Sequence, residues 1–176
     1  NLARMREISI QFHALSQDIL LWFDKDKMEK VLFNIISNAL KFTESGGSIS
    51  INIKQQKGFL QHNKEKVLMK FLTKNTEQFY VVIQVTDTGK GMSKEKLNNI
   101  FERFYFSTDE SQEMKGHSIG LSLTKDLVEL HHGFFHIDSK QNKGTTVSIY
   151  LPLGKAHLSK DEIKSGKRKK EPLREF

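Results

Sequence analysis

The chain has 176 residues, 37% of them apolar, a formal net charge of +7 and no cysteine. That length buries one sizeable core, so one domain is expected, and the missing thiols exclude disulfides and thiolate metal sites, as suits a reducing cytoplasm. No apolar run is long enough to cross a membrane, and a nucleic-acid partner is not expected. Lys155–Phe176 holds eight Lys or Arg against four acidic residues and so carries four of the seven net charges, in a solvated tail that follows a domain over 1–154.

Along the chain, Glu7–Phe12 predicts a strand and Ile19–Phe23 a second, short one. Asp24 or Asp26 caps a helix over Lys25–Phe42, and Gly46-Gly47 closes that region. Ser48–Lys54 alternates with Ile49, Ile51 and Ile53 inward, the period of a half-buried strand. Lys66–Leu72 and Phe79–Asp87 predict two more strands, in a long hairpin with an extended polar tip. Ser93–Phe101 reads as a short helix capped by Ser93, and Tyr105–His117 as a mobile loop rich in Ser, Thr and charge. Ser118–His132 predicts a second long helix with Leu123, Leu127 and Leu130 on one stripe, ended by Gly133. Phe134–Ser139 and Thr145–Leu151 close the pattern around a turn at Asn142-Lys143-Gly144. Strands and helices without strict alternation give an α+β two-layer sandwich, a mixed sheet covered on one face by helices. His131 and His132 point about 100° apart on a helix, which makes them poor joint metal ligands and better suited to a helix end.

Three strings carry chemistry. In the first, Asn34, Asn38 and Lys41 fall within about 60° on one helix face, with Val31, Leu32, Ile35, Ile36, Ala39 and Leu40 on the other side. Two amide oxygens are hard, neutral ligands that suit Mg²⁺, and an ammonium suits phosphate. Taken alone, this face reads better as a solvated one, since Lys27 and Lys30 share it, and the other two strings reverse that reading. The second string, Asp87-Thr88-Gly89-Lys90-Gly91-Met92, puts a carboxylate at a strand end, where it can accept from an exocyclic amine, and glycines where backbone approaches closely. The third, Gly116-His117-Ser118-Ile119-Gly120-Leu121, opens a helix whose free N–H groups and dipole favour an anion.

In this order and spacing the strings resemble the ATP-binding catalytic domain of sensor histidine kinases, within the superfamily that includes gyrase, the Hsp90 chaperones and MutL, from about Asp24 to Leu153. The resemblance implies ATP and Mg²⁺ as ligands. It implies Asp87 on the adenine amine, Asn38 on the metal, and catalytic roles for Asn34, Asn38 and Lys41. It further implies nucleotide contacts at Phe42, Gly89, Gly91, Met92, Gly116, His117, Ser118, Ile119, Gly120, Leu121 and Thr145, with the Tyr105–His117 loop as a mobile ATP lid. Phe101-Glu102-Arg103-Phe104-Tyr105 is similar to the family's phenylalanine box, which anchors that lid. Ser118 stands where the pattern has a further glycine, and Phe106 where many relatives have a basic residue that Arg103 or Lys115 could replace.

Superfamily members that hydrolyse ATP carry a general-base glutamate where this chain has Asn34, so the resemblance implies a site that awaits an outside nucleophile. None of the seven histidines has the His-Glu/Asp-x-x-x-Pro context of the phosphoacceptor. The expectation is a catalytic domain from a longer kinase, the cytoplasmic portion of a membrane-bound sensor. A dimerisation and phosphoacceptor histidine domain would precede Asn1, a response-regulator receiver domain would be the partner, and the isolated piece would be monomeric. The alternatives are a non-catalytic ATP-sensing module and an anti-sigma-type serine kinase.

Overall fold

The computed structural model describes residues 2–14, 19–58, 78–101 and 117–163. In chain order these form α1 (Leu2–Met5), β1 (Ser9–Ala14), α2 (Lys25–Phe42), β2 (Ser48–Lys57), β3 (Phe79–Asp87), α3 (Lys94–Asn99), α4 (His117–Leu130), β4 (Phe134–Lys140), β5 (Gly144–Pro152) and a 3-10 turn over Lys160–Glu162. The sheet runs β1-β2-β3-β5-β4. β1 and β2 pair in parallel, which requires a crossover, and α2 supplies it. The other pairs are antiparallel. The expected mixed sheet with helices on one face is what forms.

Both helix starts obey their caps. Asp24 Oδ1 accepts from Lys27 N at 3.2 Å, and Ser93 Oγ accepts from Lys96 N at 3.2 Å, each closing an otherwise orphaned N–H. At the other end of α2, the Arg6 guanidinium donates to the carbonyls of Leu40 and Thr43, which places a cation on the negative end of the helix dipole. Met28, Val31, Ile35 and Ala39 form the buried face of α2. They meet Ile49, Val81, Ile83, Val85, Val147, Ile149 and Leu151 from the sheet and Val128 from α4. This core fixes α2 and α4 side by side over the strands.

Two expectations need correction. Ile19–Phe23 is not a strand: among the described residues its pairing is a single bridge, Leu21 to Gly154. β5 ends at Pro152, which has no N–H to continue a ladder, and Gly154 then turns away at φ 76°. The leucine stripe on α4 is not its buried face either. Leu123 and Leu130 are exposed, whereas Thr124, Val128 and His131 are buried. The inward arc is rotated because two polar side chains on it find partners: Thr124 with Asn34, and His131 with the start of α2. The first part of the expected tail has local structure. Residues 155–163 form a turn and the 3-10 segment, where Ser159 and Glu162 make a reciprocal capping box. The expected strand Lys66–Leu72, the lid from Tyr105 to Gly116 and residues 164–176 lie outside the described residues.

Candidate nucleotide site

The site is assembled where β3 ends, α2 ends and α4 begins. Asp87 is the last residue of β3 and is 7% exposed. Its Oδ1 accepts from Gly89 N at 2.8 Å and Thr145 N at 3.2 Å. Its Oδ2 is paired with no described group. Burial pushes the carboxyl above the ordinary carboxylate value, and the two backbone N–H groups pull the other way. A buried carboxylate with one oxygen fixed and the other unspent is set to accept from a ligand.

Its neighbours are held by tight backbone contacts. A Cβ on Gly89 would strike the Phe42 carbonyl, so only glycine lets the Asp87 turn close on the end of α2. Gly91 has φ 59° and lies against the Lys140 carbonyl. Lys90 N donates to Phe42 O at 3.3 Å, and Met92 N donates to Ser139 Oγ at 2.9 Å, with the Met92 side chain on the core. Thr145, expected to touch nucleotide, reaches Asp87 through its N–H, while its hydroxyl pairs with Ser139 Oγ at 2.9 Å.

The Lys41 and Lys90 ammonium groups stand 5.6 and 5.3 Å from the centre of the Phe42 ring. Cation–π attraction thus gathers positive charge at the end of α2. Lys90 was not among the expected site residues; its place between Gly89 and Gly91 in the motif was the available signal.

Asn34 and Asn38 share a face of α2, but it is not simply solvated. Asn34 Nδ2 donates to Thr124 Oγ1 at 2.7 Å across the helix pair. Asn38 keeps Nδ2 buried with no partner, a state that native proteins rarely leave uncompensated. Gly120 sits in the first turns of α4, and a Cβ there would stand 2.6 Å from Asn34 Oδ1. The space a side chain at 120 would need is thus occupied by the Asn34 amide. Leu121 packs on the core. His117, Ser118 and Ile119 lie in the first turn of α4, and Gly116 falls outside the described residues, as do Glu102–Tyr105 of the aromatic box; Phe101 stacks edge-on to Phe135 at 5.8 Å.

His131 is a structural residue that sequence reasoning read only as a helix end. Its Nε2 accepts from Asp24 N at 3.0 Å and its Nδ1 faces Leu127 O at 2.7 Å. A carbonyl can only accept, so Nδ1 carries the proton and Nε2 the lone pair. The end of α4 is thereby bonded to the start of α2. Among the described residues no group of three His, Cys, Asp or Glu can hold a metal. A divalent cation here would rely on amide and phosphate oxygens, as hard cations with few protein ligands do. The Asn34–Asn38 face fits that requirement through its amide oxygens, while the buried, unpartnered Nδ2 of Asn38 is a donor suited to a phosphate oxygen and not to a cation.

A buried acceptor at a strand end, an amide face and a helix start define a nucleotide-binding α+β domain. The family described as "Histidine kinase-, DNA gyrase B-, and HSP90-like ATPase" matches residues 23–155, and the chain belongs to it. The chain is 33% identical over 156 residues to Histidine kinase P4 of Formosa agariphila, covering 86% of this chain and 10% of that protein. It is 32% identical over 137 residues to the sensor histidine kinase WalK of Bacillus subtilis, covering 77% and 19%. The chain thus spans a fifth or less of the length of these two curated relatives. Among solved structures, the mycobacterial sensor histidine kinase MprB superposes with a TM-score of 0.62 at 23% identity, covering 86% of this chain and 88% of that one. The nucleotide-free catalytic domain of ThkA gives 0.62 at 20% identity, covering 86% and 82%. These two likenesses confirm the fold.

Proposed function

We propose that this chain binds ATP with Mg²⁺ and is the catalytic domain of a two-component sensor histidine kinase, passing the γ-phosphoryl group to a histidine on a separate helical domain. The observation that carries the proposal is Asp87, a buried carboxylate whose Oδ1 is locked by two backbone N–H groups while Oδ2 stays unspent. An adenine amine donates to such an oxygen; a guanine carbonyl cannot.

Phe42 and the Gly89–Met92 turn border this end of the site. Asn34, Asn38, Lys41 and the first turns of α4 are assigned to the phosphates. Mg²⁺ held by the Asn38 amide and phosphate oxygens would neutralise charge that develops during transfer. Asn34 is a neutral amide whose Nδ2 is committed to Thr124, and it takes no proton from water. The site therefore positions ATP for an outside nucleophile, whose nitrogen forms the new P–N bond as the bond to ADP breaks.

The phosphoacceptor helices, a response-regulator receiver domain and a cytoplasmic setting beneath a membrane sensor belong to the same proposal. Support comes from the relatives' names, WalK of Bacillus subtilis being a sensor histidine kinase. Calorimetry with Mg²⁺ tests the proposal. ATP is expected to bind roughly 5- to 150-fold tighter than GTP, because a mismatched base leaves a buried group unpaired at a cost of about 1–3 kcal/mol, and Asp87→Asn is expected to erase that preference. Equal affinity for the two nucleotides in the unmodified chain would remove Asp87 from the site.

A further inference from the structure

Thr124 lies at the centre of the contact between α2 and α4 and is 2% exposed. Its hydroxyl donates to Gly120 O at 2.8 Å and meets Asn34 Nδ2 at 2.7 Å. A threonine hydroxyl has one hydrogen, and a carbonyl only accepts. The hydrogen is spent on Gly120, so toward Asn34 the hydroxyl can only accept. Asn34 must then present its NH₂ to Thr124 and turn Oδ1 the other way. Oδ1 comes to lie over Gly120, nearer to that glycine's Cβ position than Nδ2 is, at 2.6 against 3.2 Å. No described group donates to it.

We infer that Thr124 is a positioning residue: it fixes the flip of the Asn34 amide, so that an oxygen and not an NH₂ faces the magnesium–phosphate group of the bound nucleotide. The inference rests on the nucleotide reading of the same site. An amide with the opposite flip would offer hydrogens to a cation, which repels it. Valine at 124 has the same shape but cannot accept, so the amide loses its preference. Thr124 touches neither base nor phosphate in this account; it acts through Asn34 alone.

The test is calorimetry on the whole 176-residue chain with Mg²⁺·ATP and, separately, with adenosine. Thr124→Val is expected to weaken Mg²⁺·ATP roughly five- to tenfold, the worth of one oriented hydrogen bond, and to leave adenosine binding unchanged. Thr124→Ser, which keeps the hydroxyl, restores binding. In an Asn34→Ala background Thr124→Val adds nothing, because the two act as one unit. A folded Thr124→Val chain that binds Mg²⁺·ATP as the parent does, an equal loss of adenosine affinity, or additive losses in the double variant would each overturn the inference. Should Thr124→Val not fold, nuclear Overhauser contacts from the Asn34 NH₂ protons to Thr124 in the parent chain decide: their presence supports the assigned flip and their absence overturns it. A parent chain that binds no ATP fails the nucleotide reading itself, an outcome distinct from all of these.

Discussion

At the scale of single residues, the site is arranged at a cost to the empty fold. Asp87 is buried, and its carboxyl is raised above its unfolded value by that burial. A raised carboxyl contributes most below its unfolded value, and that contribution is lost as pH climbs through the folded value, so at neutral pH this carboxylate costs stability. Asp87→Asn keeps an oxygen for the Gly89 and Thr145 N–H groups and removes the charge. The variant is expected to be at least as stable as the parent at pH 7 and to lose that part of the pH dependence, while binding ATP poorly. Urea unfolding at pH 4 to 8 checks this; a clear loss of stability at pH 7 would mean that Asp87 holds the fold and is not reserved for a ligand. At Asn38 the amide nitrogen is buried without a partner and the amide oxygen is the group assigned to Mg²⁺, so Asn38→Ala is expected to weaken Mg²⁺-dependent nucleotide binding with little loss of stability, as magnesium titrations and circular dichroism would show.

At the scale of elements, the two long helices are joined at two points, at one end by His131 to Asp24 and midway by Thr124 to Asn34. Gly120→Ala drives a methyl into the Asn34 amide. It is expected to cost about 1–3 kcal/mol of stability by overpacking and to shift the start of α4, with nucleotide affinity falling in parallel; thermal melting and calorimetry read both. The 3-10 segment is held by a different device. Glu162 accepts from Ser159 N and Ser159 Oγ at 2.8 Å and pairs with His132 Nε2 at 2.7 Å, which together hold its carboxyl at about 2. A depressed carboxyl stabilises above its ordinary value of 4.5, and that help is lost as pH falls toward 2. Glu162→Ala is expected to speed hydrogen exchange across Lys155–Ile163 at neutral pH without changing ATP affinity.

Much at this scale was legible in the sequence. The α2 boundaries, the Ser93 cap, Asp24 as one of two offered caps and the inward set Ile49, Ile51 and Ile53 follow from local chemistry, and the structure repeats them. The misread parts share a cause. Leu123 and Leu130 look like core by composition, but the burial of Thr124 and His131 is decided by partners on another helix, which no local pattern encodes. The need for glycine at 120 is likewise set by Asn34, distant in sequence, whose amide fills the space a side chain would take. Ile19–Phe23 has strand-forming residues and lacks a neighbour able to continue pairing.

At the scale of the whole molecule, the claim is that a nucleotide site with an amide where a general base would stand is built to transfer rather than hydrolyse. The most direct measurement follows label from γ-labelled ATP in this chain alone and in the chain joined to, or mixed with, a dimerising helical domain that carries a phosphoacceptor histidine. The account predicts negligible phosphate release and no label on the chain alone, and acid-labile, base-stable phosphohistidine once the helices are present. Rapid hydrolysis by the chain alone, or acid-stable label on serine or threonine of another protein, would contradict it.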